Sequence, residues 1–100
     1  MNPSELNKII HEPVRLAIMS ALVTREKLTF PELKELLNVT DGNLSVHASI
    51  LEKNELISVA KDFDGKKPRT TFTITAEGKQ QFQQYLAELE QMLKQVKHIR

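Results

Sequence analysis

The hydrophobic period of this chain changes twice, and the two changes limit what it can fold into. From Pro13 to Asn54, apolar residues recur every three or four positions, as in helices with one buried face. From Ile57 they alternate: Ile57 and Val59 point one way, Ser58 and Ala60 the other, which predicts a strand to Phe63. Asp64-Gly65 follows, a pair that accepts the positive φ of a tight hairpin turn. Lys66, Lys67, Pro68 and Arg69 lead back into Thr70 to Ile74, a β-branched and aromatic run suited to a second strand. Pro68 assigns its strand to a sheet edge or its own position to a place outside the ladder. After Thr75 the helical spacing returns and runs to the end. The expected fold is therefore mainly α with a small β-hairpin (α+β), and 100 residues suffice for a single domain spanning 1–100.

Within the helical part, Pro3 and Ser4 open a short segment with Leu6, Ile9 and Ile10 at helical spacing and Ser4 as its N-cap. Pro13 suits the first turn of the next helix. Val14, Ala17, Ile18, Ala21 and Leu22 give that helix its apolar stripe, with Arg15 and Arg25 on the wet side. The pattern breaks near Leu28. Thr29 followed three residues later by Glu32 is a capping box, and Leu33, Leu36 and Leu37 form the buried face of the helix it starts. Asn38 tolerates the left-handed backbone that ends a helix, and Thr40 or Asp41 caps the next one. Two short helices joined by so brief a turn make a helix-turn-helix.

Its second helix, Thr40 to Asn54, has two distinct faces. Leu44, Ala48 and Leu51 fall on one side; Gly42, Ser45, Val46, Ser49 and Lys53 fall on the other, with no carboxylate in its centre. Such a surface can enter a DNA major groove about 12 Å wide. Ser45 and Ser49 can exchange hydrogen bonds with bases or phosphates, and Val46 can meet a thymine methyl. The alternative is a plain solvated face, on which a valine between serines has little to do. Thr40, Asp41 and Asn43 lie at the helix start, where capping competes with DNA contact. His47 is a flank residue, either bonded to a neighbouring helix or touching the DNA backbone.

The hairpin concentrates positive charge. Lys61, Lys66, Lys67 and Arg69, with Thr70 beside them, surround the turn against Asp62 and Asp64. That density suits phosphate or minor-groove contact; otherwise the lysines only solubilise and protect a sheet edge. In the last helix, expected over 76–100, Phe82, Tyr85, Leu89, Met92, Val96 and Ile99 follow alternating spacings of three and four, and Leu86 and Leu93 widen the stripe. A helix of that length spans roughly 37 Å, more than a small core needs, which points to a dimer interface; folding back onto its own domain is the alternative. Lys94, Lys97 and Arg100 suit the negative end of its dipole.

Composition narrows the chemistry. The chain lacks cysteine, which removes disulfides, thiolate metal sites and a cysteine nucleophile. His11, His47 and His98 are far apart along the chain, so metal sensing finds no ligand set. There are no paired carboxylates in a plausible cleft, no nucleophile with a base and no glycine-rich phosphate loop, so the expectation is a non-enzyme without cofactor. No apolar run reaches membrane-span length and the N-terminus lacks the order of a secretory signal, so a cytoplasmic protein is expected. The net charge of +1 does not announce a polyanion partner; that inference rests on where the charges sit.

The run Asp41-Gly42-Asn43-Leu44-Ser45-Val46-His47, then Leu51-Glu52-Lys53, Leu56-Ile57, the stretch Phe63 to Phe72 through Lys66-Lys67-Pro68-Arg69-Thr70, and Ile74-Thr75-Ala76-Glu77-Gly78 resemble the small stand-alone winged helix-turn-helix transcriptional regulators related to the MarR and ArsR groups. The resemblance covers about residues 13 to 90. It implies a homodimer, joined by the long C-terminal helix, that binds double-stranded DNA at a two-fold symmetric site through a recognition helix and a basic wing. Two features depart from it: Asn54-Glu55 stands where relatives usually place glycine before the Leu-Ile pair, so that Asn54 is expected to take glycine's part in ending the helix at some cost, and Ala48 replaces a bulkier leucine. The alternative function is a winged-helix module that joins proteins without binding DNA, for which the near-neutral charge speaks.

Overall fold

The computed structural model describes residues 6–96. The order is α1 (Pro13–Arg25), β1 (Lys27–Thr29), α2 (Phe30–Leu37), α3 (Asp41–Lys53), β2 (Ile57–Asp64), β3 (Lys67–Ile74) and α4 (Ala76–Lys94). Leu6 and Ile10 are buried, but residues 6–12 form turns rather than the expected helix. The cause is Asn7, whose Oδ1 accepts from the amides of Ile9 and Ile10 at 2.9 and 3.1 Å and substitutes for a helical ladder. The proposed cap at Ser4 lies outside the described residues. Glu12 is the N-cap of α1, with Pro13 in the first turn as expected.

The apolar stripes of α1, α2 and α3 meet in one core. Ile18, Met19 and Leu22 from α1, Leu33 from α2, and Leu44, Ala48 and Leu51 from α3 are all buried. Two side chains depart from their expected faces. Leu36 is 48% exposed, so α2 buries a narrower stripe than three leucines suggested. Arg15 does not point to water: its Nε donates to the Ile9 carbonyl at 2.6 Å, which ties the N-terminal turn to α1.

The capping box of α2 forms, with the Thr29 amide donating to Glu32 Oε1 at 2.8 Å and the Glu32 amide to Thr29 Oγ1 at 3.4 Å. The Thr29 amide, and after it the Thr29 hydroxyl donating to the same Oε1 at 2.9 Å, hold the Glu32 carboxyl below its ordinary range. Asn38 takes the left-handed conformation, φ 54° and ψ 51°, and turns the chain into α3. At the far end of α3 the expected substitution of Asn for Gly is corrected: Asn54 keeps φ −92°, and Glu55 carries the positive φ of 62°.

The sheet has a strand that periodicity did not foresee. Its order is β1-β3-β2, with β1 pairing only Thr71 to Thr73 of β3. Three residues are too few to show alternation. Beyond Thr71 the sheet narrows to a two-stranded ribbon, the wing, closed by Gly65 (φ 64°) and Lys66, with Asp64 still in the strand opposite Lys67. Pro68 sits within this ladder opposite Phe63, where β3 has lost its β1 neighbour and is locally an edge.

α4 packs back onto the domain. Its N-cap, Thr75, accepts from the Gly78 amide at 2.8 Å and donates to the Glu55 carbonyl at 2.7 Å, pinning the helix start to the turn after α3. Gly78 makes that junction: a Cβ on it would overlap the Leu56 carbonyl oxygen. With wing and α4 both projecting, the Cα radius of gyration is 15.2 Å, above the roughly 13 Å typical of a compact chain this long.

Candidate nucleic-acid interface

α3 keeps its outer face free. Thr40 is its N-cap and accepts from the Asn43 amide at 3.1 Å. Asp41 pairs with Lys34 of α2 at 2.7 Å, a contact between exposed groups that adds little stability. Gly42, Asn43, Ser45, Ser49 and Lys53 are exposed, and Val46 is 58% exposed. His47 bonds a neighbouring helix: its Nδ1 lies 2.9 Å from Arg15 Nη1 and 3.5 Å from Glu12 Oε1. A guanidinium only donates, so Nδ1 can take part in the Arg15 bond only as its acceptor.

The register of the wing sorts its side chains by face, because residues paired across antiparallel strands project to the same side. Ile57 with Ile74 and Val59 with Phe72 define the inner face, which covers the core. The same face continues outward through Lys61 with Thr70 and Phe63 with Pro68. The outer face carries Asp62 with Arg69 and Asp64 with Lys67. Both wing carboxylates therefore lie on the face turned from α3, each opposite a cation. Arg69 grips Asp62 with two bonds, Nε to Oδ1 at 3.0 Å and Nη2 to Oδ2 at 2.8 Å. That pairing holds the Asp62 carboxyl below its ordinary range and raises the Arg69 guanidinium. Arg69, grouped on sequence with Lys61, Lys66 and Lys67, thus sits on the outer face with its charge balanced, and Lys67 shares that face at the tip of the wing.

Between α3 and the inner face runs an open groove lined by Ser45 and Ser49 on one side and Lys61 and Thr70 on the other, with Phe30 and Phe72 at its floor. Glu52 also lines it. This residue was missed on sequence, although its spacing of three from Ser49 and seven from Ser45 puts it on their side of the helix, so the face carries a carboxylate on its wing-side margin. Phe63 was missed too. It shares the parity of Ile57 and Val59, and only the absence of a core beneath the ribbon leaves it exposed.

The stripe of α4 divides between two roles. Phe82 and Tyr85, expected at an interface between chains, are buried in this chain's own core, with Tyr85 Oη 2.7 Å from His11 Nδ1. Burial pushes the Tyr85 phenol up, which keeps it protonated and able to donate to that nitrogen. Leu89 and Met92 are half-buried against the core. Leu86 at 44% and Leu93 at 62% are exposed along one flank. The helix ends at Lys94, so Val96, 48% exposed, lies beyond it, and Ile99 is outside the described residues.

A sequence model described as a winged helix DNA-binding domain matches residues 14–93. The chain is 35% identical over 89 residues to the uncharacterized protein MJ0432 of Methanocaldococcus jannaschii, covering 89% of this chain and 97% of that one. Among solved structures, a transcriptional regulator homologue protein from Pyrococcus horikoshii OT3 superposes with a TM-score of 0.81 at 35% identity, over 86% of this chain and 85% of that one. A transcriptional regulator of the MarR family from Enterococcus faecalis V583 shares the fold at 22% identity, with a TM-score of 0.72 over 87% of this chain and 80% of that one. Among the described residues no helix is long and apolar enough to cross a membrane. Helix-turn-helix, wing and long closing helix, matched over most of their length by these relatives, mean that the chain belongs to the winged helix DNA-binding domain family.

Proposed function

We propose that this protein is a homodimeric, sequence-specific transcriptional regulator of the cytoplasm, with a binding rather than a catalytic role. α3 enters the major groove and reads bases through Ser45, Val46 and Ser49, while Lys53 meets phosphate. The wing lies on the flanking backbone or minor groove through Lys61 on its inner face and through Lys66 and Lys67 at its tip. The observation that carries the reading is the division of charge on the wing. Its inner face presents a cation, a hydroxyl and apolar groups beside the exposed face of α3, and both its carboxylates are turned away, Asp62 being held by Arg69. Gly42 adds support. Nothing in the domain approaches the place of its Cβ, and glycine costs a helix about 1 kcal/mol against alanine. That cost brings no gain in internal packing but gives a bound backbone room to come close.

The net charge of +1 favours the other reading, a module that joins proteins. Affinity for random duplex DNA measured against salt separates the two. A regulator loses affinity steeply as salt rises, and negligible binding at low salt would remove the DNA reading. Changing Lys66 and Lys67 together to Ala is expected to weaken binding to every sequence and flatten the salt slope. Ser45→Ala or Ser49→Ala is expected to alter sequence preference instead.

A further inference from the structure

The wing places its most exposed apolar side chain where its positive charge is densest. Phe63 is 68% exposed, more than any other large apolar residue among those described. Its cross-strand partner is Pro68, and Lys66 and Lys67 follow within four residues around the turn. The hairpin does not need an aromatic ring there. Gly65 supplies the turn, and the two-bonded Asp62–Arg69 pair on the opposite face holds the register. The ribbon beyond Thr71 has no third strand, and residues 61–69 are exposed throughout, so the tip is a slender projection.

We infer that Phe63, backed by Pro68, is an apolar wedge that enters the minor groove of duplex DNA beside the major groove held by α3 and partly unstacks a base step there. The inference rests on the DNA-binding reading above and assigns the apolar tip a part in it. Charge complementarity selects the occupant. A purely apolar protein surface that took in the tip would have to strip water from its ammonium groups. The minor groove instead sets stacked bases and sugars between two rows of phosphates, so ring and lysines are satisfied together. Inner-face Lys61 lies two residues from Phe63 on the α3 side, and no carboxylate shares that face of the wing. Because pyrimidine–purine steps unstack most easily, the wedge gives the protein a preference at a step that it need not read by hydrogen bonds.

The test uses the full chain and a duplex selected by it from a random-sequence pool, with end-placed dyes to report bending and a fluorescent adenine analogue at the wing-proximal step to report unstacking. The parent bends the duplex and brightens the analogue. Phe63→Ala abolishes both signals and weakens affinity about tenfold, with the salt slope unchanged because the lysines remain; Phe63→Leu keeps a reduced bend. If Phe63→Ala retains the bend and the affinity while the Lys66 and Lys67 double change loses affinity, the wedge is wrong and the DNA-binding reading stands. Self-association of the free protein that disappears in Phe63→Ala, with DNA bending intact, would likewise overturn it. Failure of the parent to select any duplex removes the wedge and the regulator together.

Discussion

At the scale of single residues, the fold depends on a few close approaches that spacing cannot reveal. Gly78 is one. It lies in a helix, where glycine is a poor choice, and it is kept because the Leu56 carbonyl occupies the space a side chain would need. Gly78→Ala should lower stability by about 1–3 kcal/mol, the usual cost of overpacking, read as a lower urea midpoint. An unchanged midpoint would mean that α4 can slide off the turn. Arg15 and His47 make the same point with polar groups. Both read as surface or flank residues in sequence, yet the guanidinium bridges the N-terminal turn and α3. Their partners are distant in the chain, so no local pattern encodes the contact.

At the scale of elements, the caps were legible and the strained turn was not. Thr29 with Glu32, Asn38 and Thr40 perform the roles their residue types suggest, because capping is local chemistry within four residues. The end of α3 is different. Glu55 bears a positive φ of 62°, a conformation that costs a side-chain-bearing residue about 1–2 kcal/mol. Glu55→Gly should therefore raise stability by roughly 0.5–1 kcal/mol after the added chain entropy of glycine. Asn54→Gly should lower it, because Asn54 has an ordinary φ and its Nδ2 donates to the Ile50 carbonyl at 2.8 Å. Thermal unfolding of the two variants checks the pair. Equal shifts of the same sign would show that the turn relaxes as a unit. β1 escaped notice at this scale because its three residues pair with a strand more than forty positions later.

At the scale of the whole molecule, the proposed dimer turns on what α4 leaves free. Its apolar residues repeat as a coiled seam does, but the same spacing arises whether a helix meets its own domain or a partner. Phe82 and Tyr85 are spent on the former, and Leu86 and Leu93 are what remains for the latter. Leu93→Asp is the sharper probe than a change at half-buried Leu89, since it leaves the protomer's core untouched. It is expected to yield monomers in sedimentation and to weaken binding to a two-site duplex about 10²–10⁴-fold through lost avidity. A dimer that survives Leu93→Asp would move the interface to another surface. Held together in this way, two copies of α3 would stand about one DNA turn apart, the spacing at which a symmetric site is read.

Periodicity, turn chemistry and caps are near-neighbour properties, and they suffice for the helix-turn-helix, the hairpin and the closing helix. They also suffice to mark Ser45, Val46, Ser49 and the wing lysines, because exposure on an amphipathic helix or a charged turn follows from local spacing. Folding supplied what depends on distant neighbours. It set β1 beside β3, drew Arg15 to His47, buried Phe82 and Tyr85 of the expected seam and left Phe63 uncovered. Whether an apolar side chain is core or contact depends on what the rest of the chain places over it. For α3, the period of its residues was enough to define two faces; its standing as a reading surface depends on the wing that packs beside it with both carboxylates turned away.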